Sequence, residues 1–166
     1  MSKLTCPVCG NQHDDLPAYT FEAPALWKAA TPEERGRDFE LGPDLCRYKD
    51  EHFLIRARLQ IPVTDAPDQP LEFGVWVAIS KANWWKYRTV YMDFNATSIG
   101  VIYGWLANGL PGYEDTYNVK VAIHPVGQAL RPMLLVEPSD HQLSKDQLSG
   151  FTLDRAMRYL HEHGGF

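Results

Sequence analysis

Residues 71–116 decide the fold, and they read LEFGVWVAISKANWWKYRTVYMDFNATSIGVIYGWLANGLPGYEDT. Four of the five tryptophans lie in this stretch, at positions 76, 84, 85 and 105. Its first segment, Phe73–Ile79, is apolar almost throughout, which is typical of a central strand covered on both faces. Ser80 then caps a predicted helix that runs to about Phe94. A second strand is predicted at Ile99–Ala107, so this stretch places the core of the protein.

Outside that stretch three more strands are predicted, mainly from period-two alternation: one before it and two after it. In Arg47–Val63, one face carries the apolar residues Phe53, Ile55, Ala57, Leu59 and Ile61. Tyr117–His124 alternates in the same way, and Met133–Val136 forms a last short strand. Strands dominate the middle of the chain and helices its end. The sequence therefore predicts an α+β fold with a mainly antiparallel sheet of about five strands, packed helices and an N-terminal CxxC zinc knuckle.

The length of 166 residues predicts one domain, which we divide into three parts. These are a cysteine knuckle with a proline-rich lead-in (1–46), the sheet with its inserted helix (47–138) and the C-terminal helices (139–166). In the last part, Ser139 or Asp140 is expected to cap a helix near Gln142–Leu148. Thr152 is expected to cap a final helix that runs to His163.

Composition and charge exclude several classes of partner. The net charge is −5 and the chain contains no basic block, so a nucleic acid is not an expected partner. No apolar run reaches the roughly 20 residues that a membrane-spanning helix needs, and the N-terminus lacks the apolar run of a signal peptide. Three cysteines, an odd number, fit a reduced compartment better than a disulfide framework. We therefore expect a cytoplasmic protein without a membrane partner.

The motif with the most chemical content is Cys6-Pro7-Val8-Cys9-Gly10. Two thiolates at this spacing can reach one tetrahedral zinc ion from a tight turn. A second CxxC, which would complete a zinc ribbon, is absent from the sequence. The remaining ligands are expected to be Cys46 and a histidine. His13 is the first candidate because it sits in the same loop, and His52 is the second because it begins the strand that Cys46 introduces.

Two other interpretations of the knuckle stay open at this stage. A CxxC can be a redox pair, although that motif works best at a helix N-terminus and Gly10 argues against a helix here. It can also be a pair without a ligand. Cys46 alone is as well explained as a small buried apolar residue.

The ordered set of motifs CPVCGNQHDDLP, PEER, DLC, HFLIRARLQIPV, FGVWVAIS, GWLANGLPGYEDT, RPMLLVEP and DHQLSKDQLSGFT resembles a bacterial family known as domain of unknown function 2199. The resemblance covers about Cys6 to Leu160. It implies a small stand-alone bacterial protein with no established activity, so no catalytic residue can be transferred. The family pattern CxxCGxxH matches Cys6, Cys9, Gly10 and His13, which favours His13 over His52 as a ligand.

Other residues are weaker candidates for a working surface. Asp140 beside His141 could orient an imidazole for acid–base chemistry, but a helix cap is the commoner use of such a pair. Arg56 with Arg58 could bind an anion. Trp76 and Trp105 could line an apolar pocket, although tryptophans of this kind are more often core. The segment His161-Glu162-His163 resembles a metal clip, yet it also fits the end of a helix.

Three hypotheses about function follow. The first is a non-catalytic binding or interaction module with a structural zinc ion, a sheet that presents an aromatic surface, and a protein as partner. The second is a metal-dependent hydrolase-like enzyme with three protein ligands, a metal-bound water and His141 or His52 as the base. The third is an immunity protein that neutralises a toxin. No nucleophile motif is present, and we therefore favour the first hypothesis.

Overall fold

The structure is a computed structural model, and it describes residues 3–93 and 96–166. Within these residues the strands are Leu4–Thr5 (β1), Gln12–His13 (β2), Tyr19–Thr20 (β3), Phe39–Leu41 (β4), Leu45–Tyr48 (β5), His52–Ile61 (β6), Leu71–Ile79 (β7), Ile102–Leu106 (β8), Lys120–His124 (β9) and Met133–Val136 (β10). The helices are Ala25–Ala29 (α1), Pro32–Asp38 (α2), Lys81–Val90 (α3), Gln142–Ser149 (α4) and Leu153–Glu162 (α5), and a 3₁₀ turn spans Ala96–Ile99.

Strands β6 to β10 form a closed barrel, which corrects the prediction of a simple, mainly antiparallel sheet of about five strands. Each strand pairs antiparallel with the next, from β6 to β10. In an up-and-down order of five strands, the first and the fifth run in the same direction, so closure requires a parallel pair. That pair joins Met133 to Arg58 and Leu134 to Leu59. The α+β class and the mainly antiparallel pairing are confirmed.

The two longest strands, β6 and β7, also carry strands outside the barrel. The first half of β6 pairs with β5, and β5 pairs with β4. The first half of β7 pairs in parallel with β3, whereas its second half pairs with β8. The predicted single strand Arg47–Val63 is therefore two strands. Lys49, whose φ is +51°, lies in the turn between them.

The main core fills the barrel and is closed by helices. The predicted apolar face of β6, from Phe53 to Ile61, is buried there, and so are Phe73 and Val77 on β7. On the outer face of β7, Trp76 is also buried, so this strand is covered on both faces as predicted. A second cluster forms around that tryptophan from the residues Cys46, Leu54 and Ala107.

The predicted helix after Ser80 is confirmed in its start. The Ser80 hydroxyl accepts a hydrogen bond from the backbone N–H of Asn83, and α3 runs from there to Val90. Its buried residues are Trp84 and Tyr87, whereas Arg88 is exposed. The predicted end of this helix, Phe94, lies outside the described residues. Strands β8 and β9 are shorter than predicted, since Ile102 and Lys120 begin them.

The last two helices pack against the barrel and carry much of the chemistry of the chain. Gly150 ends α4 with a left-handed φ of +76°, and the Thr152 hydroxyl caps α5 as predicted. Ala156 and Leu160 of α5 are buried in the main core. On another side of the same helix, Met157 packs against Leu4 and Cys6. Among the described residues, no helix is long and apolar enough to cross a membrane.

Candidate metal centre

The cysteine knuckle is the turn of a two-stranded hairpin. Strands β1 and β2 pair Leu4 with His13, and the Cys6 N–H donates to the Asn11 carbonyl at 2.8 Å. The Gly10 N–H then donates to the Cys6 carbonyl at 2.9 Å. Gly10 has a φ of +75°, a conformation that favours glycine, so the chain can turn back immediately after Cys9. The hairpin thus places both thiols on the same tight turn.

The knuckle meets the C-terminal helix at His161. The Sγ atoms of Cys6 and Cys9 and one ring nitrogen of His161 all lie within 4.8 Å of one another. Cys6 Sγ is 3.9 Å from His161 Nδ1. Two such ligands on one tetrahedral zinc ion would be about 3.5 Å apart, given Zn–S and Zn–N bonds of about 2.3 and 2.0 Å. A shift of a few tenths of an ångström would therefore let both bind one ion.

The electrostatics of the knuckle favour a thiolate at Cys6. A hydrogen bond from the Cys9 backbone N–H lowers the pKa of the Cys6 thiol, and the Val8 N–H and the Arg158 charge act in the same direction against the effect of burial. Metal ions bind the thiolate and not the thiol. The donor set of two sulfurs and one imidazole, with one sulfur already prepared for negative charge, therefore fits a zinc-type ion.

His13, the predicted histidine ligand, lies beside this group but is not within it. Because Leu4 pairs with His13 and Cys6 lies two residues beyond Leu4, all three side chains belong to one face of the hairpin. The His13 ring stacks on Phe166 with 3.8 Å between centroids. Its Nε2 is buried and has no hydrogen-bond partner in the part of the chain that the structure describes. A buried polar atom without a partner is costly and calls for an explanation.

Cys46, the third predicted cysteine ligand, lies in a different place. On β5 it pairs with Leu54, and it is buried in the cluster around Trp76. Burial raises the pKa of the Cys46 thiol to about 12, which keeps it neutral at physiological pH. His52, the alternative histidine, is exposed at the start of β6 beside Tyr48. Neither residue belongs to the group formed by Cys6, Cys9 and His161.

The structure thus brings together two of the predicted ligands and adds His161. The sequence did contain a signal for this residue, namely the His161-Glu162-His163 segment. Met157 and His161 are four residues apart and so share one face of α5, and Met157 packs against Cys6. The apolar contact of Met157 therefore points the same helix face, and His161 with it, at the knuckle.

The Asp140–His141 pair lies at the start of α4. His141, and neither Ser139 nor Asp140, caps α4: its Nδ1 accepts a hydrogen bond from the Leu143 N–H at 3.1 Å. The Nε2 of this ring lies 2.6 Å from the Glu114 carbonyl, so Nε2 carries the proton and donates it. Both ring nitrogens of His141 are therefore engaged in hydrogen bonds within the protein.

Replacing His141 with alanine is therefore expected to lower the free energy of unfolding by about 1 kcal/mol, because α4 loses its cap. Replacing it with asparagine, a good capping residue, should retain most of that stability. Urea unfolding of both variants tests this role. Equal losses in the two variants would mean that the bond to Glu114, and not the cap, is what His141 contributes.

Arg56 lies on the outer face of β6 and is only partly exposed. One guanidinium nitrogen donates to the Pro43 carbonyl at 3.3 Å, and the group lies 5.9 Å from the ring centre of Trp76. Burial, and then the neighbouring charge of Arg131, lower the pKa of Arg56. Arg58 contacts the Arg131 carbonyl and Glu72 instead. The two predicted anion-binding arginines are therefore engaged with different partners.

Comparison with known proteins gives a match to a protein family. A family model described as an uncharacterized protein conserved in bacteria, DUF2199, matches residues 5–151. No curated protein matches the chain, and no solved structure does. The matched range contains Cys6, Cys9 and His13 and ends before α5, so His161 lies outside it.

Proposed function

This chain belongs to the DUF2199 family of uncharacterized bacterial proteins, as its ordered motifs indicated, and we propose that it is a non-catalytic binding module with a structural zinc site. The observation that carries the binding role is an exposed aromatic face on the outside of the barrel. The partner in this proposal is a protein that presents an apolar anchor side chain to that face.

The aromatic face is formed by three neighbouring strands. Tyr103 on β8, Ala122 on β9 and Leu135 on β10 are direct cross-strand neighbours, and Trp105 pairs with Lys120 in the next row. Tyr103 is 61% exposed, Leu135 55% and Trp105 46%. Isolated exposed apolar residues are ordinary, but a contiguous group on one face is typical of an interaction site. Aromatic residues are also the side chains most enriched at binding hot spots.

The shape of this face indicates what it would bind. Tyr103, Ala122, Leu135 and Pro138 line a hollow of about 200 Å³, a size suited to one large apolar side chain. Strands β8, β9 and β10 each pair on both edges, so a partner cannot add a strand to the sheet here. Its side chains must therefore make the contacts with this face. Lys120 and Glu137, 3.8 Å apart, provide the polar rim that protein interfaces usually have.

The zinc part of the proposal rests on the three converging ligands Cys6, Cys9 and His161. We assign the fourth position to His13, because its buried Nε2 lacks a partner among the described residues and its side chain shares a face with Cys6. The backbones of diagonal neighbours across a hairpin are roughly 7–8 Å apart, so their two side chains can reach one metal ion between them. Four protein ligands would close the site, as in structural zinc centres. Free thiolates require a reducing compartment, so the proposal includes a cytoplasmic location.

Photo-crosslinking tests the aromatic face directly. With a benzophenone amino acid at position 103, we expect a covalent adduct with another protein in the bacterial cell, and none from position 86 on α3. Leu135→Glu should reduce that adduct at least about tenfold, because a charge would enter the apolar hollow. Leu148→Glu is the matched control, since Leu148 is an exposed leucine on α4.

Each outcome decides between occupants of the face. An adduct of twice the monomer mass would identify a second copy of this chain and replace the proposed partner. Absence of any adduct from position 103, or equal adducts in the Leu135→Glu and Leu148→Glu variants, would overturn the binding role of this face. The zinc site is tested separately by metal content.

A further inference from the structure

A cleft of about 330 Å³ lies between the loop after β8, α4 and α5. Its size is at the lower end of the range for small-molecule sites, roughly 300–1,000 Å³. The cleft lies on a different side of α5 from the knuckle, because Arg155 and Tyr159 line it while Met157 faces Cys6. It also uses none of the residues of the aromatic face. It is therefore a separate candidate site.

The floor of the cleft is a buried carboxylate whose two oxygens both accept hydrogen bonds. Asp146 is 3% exposed. Its Oδ2 accepts hydrogen bonds from the Tyr113 hydroxyl at 2.6 Å and from Arg155 Nη2 at 3.2 Å, and its Oδ1 accepts one from Gln142 Nε2 at 2.9 Å. A buried charge is costly unless it is paired and hydrogen-bonded. The consequence here is that Asp146 fixes the positions of Tyr113 and Arg155.

Arg155 is held on two sides and open on a third. Its guanidinium stacks on the Phe151 ring, with 3.8 Å from the central carbon to the ring centre, and one nitrogen is bound to Asp146. Asp146 is the only carboxylate that it pairs with among the described residues, and its side chain is still 53% exposed. A guanidinium fixed in this way can offer its remaining N–H groups to a ligand without losing further conformational entropy.

The other walls suggest what the ligand carries besides charge. Tyr159 lines the cleft, and its position is fixed because its hydroxyl donates to the Pro111 carbonyl at 2.5 Å. Phe151 is 2% exposed and lies under Arg155, and Tyr159 is 9% exposed, so these two rings present only their edges to the cleft. The half-buried Tyr113 is the most exposed of the three aromatic rings. Arg158 and Glu162, one helical turn apart on α5, also line the cleft. The Arg158 Nε is already bound to Asp154. An anionic group would therefore bind at the Arg155 end and not beside Glu162.

We propose that this cleft binds a small ligand with an oxyanion head group, carboxylate or phosphate, attached to an aromatic body. Arg155 receives the head group as a two-pronged donor, and the aromatic walls hold the body. Asp146 acts as a positioning residue for Arg155. The site goes beyond the proposed function, because neither the zinc site nor the aromatic face is needed for it.

The test is a titration of the full chain, followed by ¹H–¹⁵N NMR, with benzoate and phenyl phosphate as probes. Benzyl alcohol and inorganic phosphate are the controls for the ring alone and the head group alone. We expect one of the two aromatic anions to bind, with shifts centred on Tyr113, Phe151 and Arg155. The stronger probe identifies the head group. Arg155→Gln should weaken its binding about tenfold or more, because a charge-assisted hydrogen bond is lost.

Arg37→Gln is the matched control, since Arg37 is an exposed arginine on α2 that pairs with Asp38, and it should leave affinity unchanged. Equal binding of benzyl alcohol, or unchanged affinity in Arg155→Gln, would overturn the proposal. Absence of binding by both aromatic anions at about 10 mM would do the same. If Arg155→Gln fails to fold, the location of the shifts in the unmodified protein decides: shifts away from these three residues would also contradict the site.

Discussion

Replacing Cys6 with serine is expected to reduce zinc from about one ion per chain to almost none and to lower the melting temperature by roughly 10 °C. The metal would join Cys6, near the start of the chain, to His161, which is 155 residues away in sequence. By analogy with a disulfide, a cross-link that closes so long a loop contributes up to about 5 kcal/mol. In a chain of this length, 1 kcal/mol corresponds to about 2–4 °C.

The measurement is elemental analysis of protein without a histidine tag, paired with thermal unfolding before and after a chelator. Chelation should lower the melting temperature of the unmodified protein and leave that of Cys6→Ser unchanged. Cobalt substitution then identifies the ligands, because its absorption bands report tetrahedral geometry and thiolate coordination. Loss of zinc with unchanged thermal stability would contradict a structural role for this site.

Two matched pairs of variants assign the ligands individually. His161→Ala should lose zinc, whereas His163→Ala should keep it, since the His163 ring packs at a tilt against Tyr159 and lies outside the ligand group. Cys46→Ala should also keep zinc, because this thiol is buried beside Trp76. His13→Ala should weaken zinc binding less than His161→Ala if His13 fills only the fourth position. Zinc loss in Cys46→Ala would restore the ligand set predicted from sequence.

The sequence predicted the two cysteines of the candidate site better than its histidine, and the reason is the range of the contacts. Cys6 and Cys9 are three residues apart, so their convergence is a local property of one turn. His161 reaches them only because α5 packs Met157 against the hairpin, which no local pattern reveals. Cys46 is the reverse case. It follows a turn as a ligand would, but its pairing with Leu54 places it in the cluster around Trp76.

The difference between local and long-range contacts also explains which parts of the fold could be predicted from the sequence. Alternation along β6 correctly predicted which residues face the core, because the period of a strand is local. Barrel closure depends on the pairing of Met133 with Arg58 and on the Arg58 N–H bonding the Pro132 carbonyl at 2.8 Å. Strand β10 has only four residues, and its sequence gives no sign of which other strand it will pair with. Local periodicity can therefore supply the strands but not the order in which they close.

Replacing Gly104 with alanine is expected to destabilise the barrel by about 3 kcal/mol and lower the melting temperature by roughly 6–12 °C. Gly104 is buried on β8. An added Cβ would lie 2.4 Å from the Ala78 carbonyl oxygen and 3.0 Å from Ile79 Cγ2. A flexible side chain could move away from such a contact, but a backbone carbonyl in the β7 strand cannot shift without disturbing the pairing of β7 with β8.

Gly36 provides the matched control for Gly104, because the same substitution there should have the opposite sign. Gly36 lies inside α2, and an added Cβ meets no atom within 4 Å. Alanine should stabilise this helix by about 0.5–1 kcal/mol, since it restricts the unfolded chain and favours helix. Urea unfolding of the two variants compares them directly. If Gly104→Ala left the free energy of unfolding unchanged or raised it, the close approach of β7 and β8 at Gly104 would not be what the barrel requires.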